Sequence, residues 1–272
     1  MDSSGIGRPV NSSERMIEAI REVGIIPLFR SGVPGWSIEE LTPPECWFYT
    51  SDELGPWDWK VDAVREGDIA YGKFLSGKAA FATVEWYRHL MNWRRANPRY
   101  RMALGEPFAA KTRSEALMQL LSPIALEAAR ENGSMETAEL RHLCGERLSA
   151  QRLKAFDAKY QALLKPAVKK NVMDSVLQFL EMGTWVVIGD IRRVYRGPNL
   201  EYKGWQRSSI TTPDELFGTS AQSGAQPFWA ANIEADDTSL AVDCTPEESR
   251  QLLIDHISGF FPEERDSLVK II

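Results

Sequence analysis

Residues 168–212 read VKKNVMDSVLQFLEMGTWVVIGDIRRVYRGPNLEYKGWQRSSITT, and this stretch decides the fold. Up to Gly183 its apolar residues recur at helical spacing, and glycine commonly follows the last residue of a helix. Beyond Gly183, two runs rich in β-branched and aromatic residues flank the turn-forming RGPN, which is typical of a β-hairpin. The stretch therefore predicts a helix that leads directly into a two-stranded hairpin.

Two further helices are predicted upstream. Ser114–Glu131 carries apolar residues at helical spacing and ends before Asn132-Gly133. After a short extended stretch, Thr137 can cap the next helix. Helix, short strand, helix, helix and hairpin is the order of a winged-helix domain, the helix-turn-helix variant with an added hairpin, or wing. We therefore predict a winged-helix domain at residues 109–220.

The helix before Gly183 divides into two faces on a helical wheel. One half is apolar, and the other half holds Lys170, Asn171, Ser175 and Gln178. A recognition helix needs this division, because one face packs on the core while the other enters the major groove of DNA. An ordinary amphipathic surface helix has the same pattern, so the wheel leaves both interpretations open.

The rest of the chain predicts an α+β fold around this domain. Residues 1–14 are polar and rich in Gly and Ser, and we expect them to be disordered. Residues 15–108 predict an aromatic-rich region with a short helix and a hairpin that turns at Ser76-Gly77, an order compatible with a degenerate winged helix. Residues 221–272 predict a loop and two short helices.

Composition excludes several classes of protein. The 272 residues include 43% apolar and 26% charged residues, which is ordinary for a globular protein. Three cysteines without paired spacing argue against a disulfide framework or a zinc site and fit a reducing cytoplasm. The sequence shows neither an apolar leader nor a run long enough to span a bilayer, so we expect a cytoplasmic protein without a membrane partner. Motifs for nucleotides, metals or deaminase chemistry are absent, and no cofactor is expected.

Charge is unevenly distributed along the chain. The net charge of −6 argues against a typical nucleic-acid-binding domain, but twelve basic and six acidic residues give Gly145–Arg207 a charge of +6 and leave −12 on the remainder. The basic residues lie on the predicted recognition helix, the stretch before it and the wing, where phosphate contacts would be made. We therefore expect duplex DNA as a partner. Its base edges would face Lys170, Asn171, Ser175 and Gln178, and its backbone would be held by Arg192, Arg193, Arg196 and Lys203.

A second basic cluster lies at Trp86–Arg101, with five arginines, four aromatic residues and no acidic residue. Arginine binds phosphate and flat rings stack on bases, so Arg94 and Arg95 are candidates for DNA contacts and Trp86 is a candidate for base stacking. The alternative is structural: the rings lie in the core, and the arginines pair with the surplus carboxylates.

Carboxylates and tryptophans alternate in residues 52–59 (DELGPWDW). Two chemical roles are candidates, namely activation of a water by Asp52, Glu53 or Asp58, and stacking on a nucleobase by Trp57 or Trp59. The alternative interpretation is that the tryptophans anchor a loop and that the acidic groups face solvent.

Several short motifs occur together over most of residues 15–220: Glu22-Val23-Gly24, Pro27-Leu28-Phe29, Pro56-Trp57-Asp58-Trp59, Ala70-Tyr71-Gly72-Lys73-Phe74, Trp86, Asn92-Trp93-Arg94-Arg95, Gly183 and Asp190-Ile191-Arg192-Arg193. In this combination the chain resembles the AlkZ-related family, bacterial relatives of the AlkZ-type DNA glycosylases. AlkZ-type enzymes excise alkylated or crosslinked bases and consist of tandem winged-helix domains. The resemblance therefore implies a winged-helix fold and a role in DNA repair.

The chain departs from AlkZ-type enzymes at the catalytic motif. Those enzymes carry a Gln-apolar-Gln or Gln-apolar-Asp motif that positions the attacking water, and here the nearest sequences are Gln119-Leu-Leu, Gln161-Ala-Leu, Gln178-Phe-Leu and Gln251-Leu-Leu. No catalytic residue can therefore be transferred. Three functions stay open: a DNA-binding protein of unproven catalytic competence, an active glycosylase for alkylated bases, and a winged-helix adaptor that binds another protein.

Overall fold

The computed structural model describes residues 6–47, 54–147, 170–218 and 240–272. Within these ranges helices combine with two small antiparallel sheets, which confirms the predicted α+β class. The helices are α1 (Ser13–Val23), α2 (Ile38–Leu41), α3 (Pro44–Trp47), α4 (Pro56–Arg65), α5 (Val84–Ala96), α6 (Pro98–Arg101), α7 (Arg113–Asn132), α8 (Thr137–Arg147), α9 (Lys170–Met182), α10 (Pro213–Phe217), α11 (Pro246–Phe260) and α12 (Arg265–Ile271). The strands are β1 (Ile25–Pro27), β2 (Ile69–Leu75), β3 (Lys78–Thr83), β4 (Met135–Glu136), β5 (Val187–Arg196) and β6 (Glu201–Thr211).

The two sheets have the same strand order. In the first sheet β3 lies between β1 and β2, and in the second sheet β6 lies between β4 and β5. All of these pairs are antiparallel. In the first half of the chain, from α1 to β3, a helix and a short strand precede further helices, and a hairpin follows. The second half, from α7 to β6, has the same order. The first half thus repeats the order of elements predicted for residues 109–220.

The local signals in the sequence are confirmed. Ser76 and Gly77 turn the first hairpin with φ angles of 50° and 75°, and α9 ends at Met182, directly before Gly183. The start of α11 has a capping box, in which the Thr245 hydroxyl accepts the backbone N–H of Glu248 and the Glu248 carboxylate accepts that of Thr245. Such side-chain acceptors satisfy N–H groups that have no partner inside the helix.

The beginning of the chain differs from the prediction. Residues 1–14 were expected to be disordered on the strength of their polar composition, yet residues 6–14 do not fit this expectation. Ile6 and Val10 are buried, and the backbone N–H of Val10 donates to the carbonyl of Leu41 at 2.8 Å. Ile6 and Val10 belong to the hydrophobic core, and the backbone bond of Val10 joins this segment to the end of α2.

Polar contacts join the two halves, between α9 and β2 and between α4 and β5. Glu181 on α9 is buried, and its carboxylate accepts the backbone N–H of Lys73 on β2 at 2.7 Å. Burial raises the pKa of Glu181 to about 7, and the N–H and the ammonium of Lys73 oppose the rise. Arg65 on α4 donates to the Asp190 carboxylate at 3.1 Å and to the Ile191 carbonyl at 3.2 Å on β5. The second hairpin is therefore tied to a helix of the first half.

The C-terminal helices pack on the first half through α5. The Trp86 ring of α5 stacks on His256 of α11, with 3.7 Å between ring centroids and 14° between planes. Gly24, at a φ of 76°, lies beneath the same tryptophan, and a Cβ there would approach the Trp86 Cδ1 to 2.2 Å. Glycine is thus required where α1 ends. No helix in the described ranges has both the length and the apolar composition needed to cross a bilayer.

Candidate nucleic-acid interface

The β5–β6 hairpin has two chemically different faces. Arg193 is paired with Gln206 across the strands, and Arg192 is paired with Arg207. Because successive side chains of a strand point to opposite sides, the two pairs belong to different faces. The face with Gln206 contacts α4, and we call it the inner face. The face with Arg207 also carries Trp205, and we call it the outer face.

The inner face is fastened to Asp58 on α4. The Tyr202 hydroxyl donates to the Asp58 Oδ1. The Gln206 Nε2 donates to the same oxygen at 3.0 Å and to the carbonyl of Trp57 at 3.0 Å. The Arg193 guanidinium donates to the backbone carbonyl of Asp58 at 3.1 Å. Asp58 is fully buried and its hairpin partners are partly buried, and together these bonds hold the hairpin against the helix.

Arg193 and Tyr202 have further properties that bear on the inner face. Arg193 also lies 3.6 Å from the Asp62 carboxylate, and its side chain is only 20% exposed. Burial together with the hydrogen bond to Asp58 raises the pKa of Tyr202 to about 12, so the phenol stays protonated and remains a donor. The Asp58 carboxylate is thus occupied by hairpin donors rather than open to a water. Arg193, a predicted phosphate ligand, is occupied in the same network.

The outer face is basic, aromatic and exposed. Trp205 is 60% exposed, and the Arg196 guanidinium lies 5.6 Å from the centre of its ring. The Arg192 side chain is 68% exposed and lies 3.5 Å from Asp190, and the Arg207 side chain is 61% exposed and lies 3.4 Å from Glu136. Arginines that flank an exposed ring can bind phosphates while the ring stacks on a base.

The candidates on α9 occupy a different environment. The Gln178 Nε2 lies 3.5 Å from the carbonyl of Gly77 in the turn of the first hairpin, so this part of the polar face of α9 lies against protein. Ser175 is exposed. The backbones of Lys170, Asn171 and Lys203 are described, in α9 for the first two and in β6 for the third, but their side chains lie outside the described structure.

Arg94 and Arg95 on α5 bind backbone carbonyls. Arg94 is buried and donates to the Tyr100 hydroxyl and to the carbonyl of Ile271, each at 3.1 Å. Arg95 donates to the carbonyl of Thr184 at 2.8 Å. Burial lowers the pKa of Arg95, and the nearby Asp214 opposes this change. Both arginines join α5 to other parts of the fold. This arrangement corresponds to the structural alternative for this cluster, except that most of the partners are backbone carbonyls rather than carboxylates.

The three predicted stacking residues differ in exposure. Trp59 is buried, and one face of Trp86 is covered by His256. Trp57 is 42% exposed and has the Lys60 ammonium 2.9 Å from the centre of its ring. Burial lowers the pKa of Lys60 to about 7, and Asp58 opposes this effect. Gln206 bonds to the backbone carbonyl of Trp57, whereas the indole lies beside Phe29, with 6.4 Å between ring centroids. Asp52 and Glu53 lie outside the described residues.

Trp205 and Arg207 were not among the predicted site residues. The alternation in EYKGWQR was the available signal, because it places Trp205 and Arg207 on the same side of β6. A search of the described ranges for three or more His, Cys, Asp or Glu side chains able to hold a metal finds no such group.

Comparison with known proteins gives one match. Residues 10–272 match the model of a protein family described as AlkZ related. No curated protein and no solved structure matches the chain.

Proposed function

Because the chain belongs to the AlkZ-related family, we propose that it is a DNA-binding relative of DNA-repair glycosylases that contacts duplex DNA with the outer face of the β5–β6 hairpin. The observation that carries the proposal is the exposure of Trp205 between Arg196 and Arg207, all on the side that points away from α4. Two arginines and an indole presented together match the phosphate and base chemistry of DNA.

The repeated order of elements supports tandem winged helices. We place one winged helix at residues 15–108 and the other at 109–220, with residues 221–272 as a C-terminal addition. In this arrangement the β5–β6 hairpin is the wing of the second domain. Gln178 of α9 lies against the turn of the first hairpin, so the wing, rather than the buried part of the recognition helix, supplies the contact in this proposal.

Titration of fluorescent duplex DNA by anisotropy at several salt concentrations tests the proposal. We expect Trp205→Ala to weaken binding about tenfold through the lost stacking. Replacing both Arg192 and Arg196 by Gln should weaken binding and reduce the slope of log K against log salt by about 2, since each phosphate contact contributes about 0.9.

Arg8→Gln is the matched control, because the Arg8 side chain is 74% exposed and lies near a carboxylate, as Arg192 does. This variant should bind like the parent protein. Absence of duplex binding at low salt, or equal losses in the control and in the hairpin variants, would contradict the proposal.

A second function, excision of a damaged base, is favoured by Trp57. Its indole is 42% exposed, and an exposed aromatic ring can stack on a flipped base. Incubation of purified protein with alkylated duplex DNA tests this function directly. Release of free base that is lost in Trp57→Ala would support it, and no release from DNA that the protein demonstrably binds would contradict it.

A further inference from the structure

A cysteine, a serine, a histidine and an asparagine meet where α5 packs on the start of α11. The Cys244 Sγ lies 3.1 Å from the Ser249 Oγ and 3.8 Å from the His89 Nδ1. The Ser249 Oγ lies 3.1 Å from the same His89 nitrogen, and the Asn92 Nδ2 donates to it at 2.9 Å. Ser249 is fully buried, whereas Cys244 is partly exposed. His89 is also partly exposed, so only Ser249, between the thiol and the imidazole, is sealed from solvent.

The Cys244–Ser249–His89 relay can form two complete sets of hydrogen bonds. Asn92 always occupies one acceptor position of the Ser249 oxygen, and the serine has one proton to donate. In the neutral arrangement the Cys244 thiol donates to Ser249, and Ser249 donates to His89. In the charged arrangement the His89 imidazolium donates to Ser249, and Ser249 donates to the Cys244 thiolate. Each arrangement pairs the sulfur, the serine oxygen and the His89 Nδ1, so moving a proton from sulfur to nitrogen leaves none of these three atoms unsatisfied.

The surroundings favour a neutral imidazole as the resting state. Burial lowers the pKa of His89, the positive charge of Arg88 lowers it further, and Glu85 opposes both. Its Nδ1 is then free to accept the proton of Ser249. Asn92 additionally donates to the backbone carbonyl of Cys244 at 2.9 Å, which fixes the position of the cysteine relative to α5.

We propose that Cys244 is a nucleophilic thiol that forms thioethers with alkylating electrophiles, with Ser249 relaying the thiol proton to His89. In the reaction the Cys244 proton moves to the Ser249 oxygen while the serine proton moves to the His89 Nδ1. The thiolate then attacks the electrophilic carbon, an S–C bond forms, and the leaving group departs with its electron pair. The imidazolium later returns its proton to solvent. This role does not depend on DNA binding.

The other two cysteines provide internal references. Cys144 is buried, and Cys46 is partly exposed like Cys244. Cys46 and Cys244 share the same intermediate range of exposure, so Cys46 is the reference for Cys244 and Cys144 is the buried reference. Thiolates rather than thiols are the reacting species, so stabilising the thiolate raises the alkylation rate at neutral pH.

Timed labelling of the full-length protein with limiting iodoacetamide at pH 7, followed by peptide mass spectrometry, tests the proposal. We expect Cys244 to react about tenfold faster than Cys46 in the folded protein, and both to react at similar rates in urea. Ser249→Ala and His89→Ala should each bring the rate at Cys244 down towards that at Cys46. Added imidazole should restore part of the rate in His89→Ala, which a purely structural role of the histidine would not allow.

Circular dichroism and the labelling rate of Cys144 monitor folding of each variant. The proposal is overturned if Cys244 in the folded parent reacts no faster than in urea. It is also overturned if Ser249→Ala and His89→Ala, with Cys144 still protected, leave the rate at Cys244 unchanged.

Discussion

Replacing Asp58 by alanine is expected to lower the free energy of unfolding by about 1–3 kcal/mol, the range for leaving a hydrogen-bond donor without its acceptor. The carboxylate is fully buried and accepts from Tyr202 and Gln206. Its removal leaves the Tyr202 hydroxyl without this acceptor, whereas Gln206 keeps its bond to the Trp57 carbonyl, and a donor without a partner carries a desolvation cost. Urea unfolding followed by circular dichroism measures the loss.

Tyr202→Phe is the matched control for this prediction. It removes one hydroxyl from the same network and keeps the ring, so we expect a loss of about 1–2 kcal/mol. A double variant should lose less than the sum of the two single losses, because both changes remove the same bond. A loss below about 1 kcal/mol for Asp58→Ala would mean that the hairpin is not held by this carboxylate.

Glu181→Gln is expected to stabilise the protein above neutral pH and to have little effect in mild acid. Burial raises the pKa of Glu181 to about 7 in the folded protein, against about 4.3 in an unfolded chain. Between these values the unfolded chain has released the proton while the folded protein keeps it. The parent protein therefore loses stability as the pH rises through this window, by about 3 kcal/mol in total, and the loss remains above pH 7.

Glutamine is neutral at every pH and can still accept the backbone N–H of Lys73 through its amide oxygen. The difference in unfolding free energy between Glu181→Gln and the parent should thus be near zero at about pH 4 and should reach about 3 kcal/mol at pH 8. Urea unfolding at a series of pH values measures this difference. All other titratable groups are common to both proteins, so their contributions to the pH dependence cancel. Glu263→Gln, at an exposed position, should show no such trend. A flat difference curve for Glu181→Gln would contradict the raised pKa.

Features that depend on neighbours in sequence were predictable, and contacts between distant segments were not. Turn residues and capping boxes act within a few positions, so the hairpin at Ser76-Gly77 and the start of α11 could be predicted. The partners of Arg94 are a hydroxyl six residues away and a carbonyl 177 residues away, and the second of these has no local signal. A cluster of arginines and aromatic rings has the same composition whether it binds DNA or joins helices.

The candidate site shows the same limit. Strand alternation predicts that Trp205 and Arg207 lie on one face of the β5–β6 hairpin, but it does not predict which face packs against α4. The contacts with Asp58 determine which face is buried, and Asp58 lies 144 residues from Tyr202 in sequence. The proposed thiol relay likewise joins His89 to Cys244 across 155 residues, and neither residue lies in a recognisable motif.

In the proposed function, a hairpin that is fastened at its inner face would approach DNA as a preorganised surface. A hairpin that swings freely must give up that motion when it binds, and ordering each flexible side chain adds about 0.5–1.5 kcal/mol of opposing entropy. Here Tyr202 and Gln206 are already held by α4 before any ligand arrives. Asp58 would then contribute to the proposed DNA affinity through entropy without contacting the DNA, and its loss would weaken the complex.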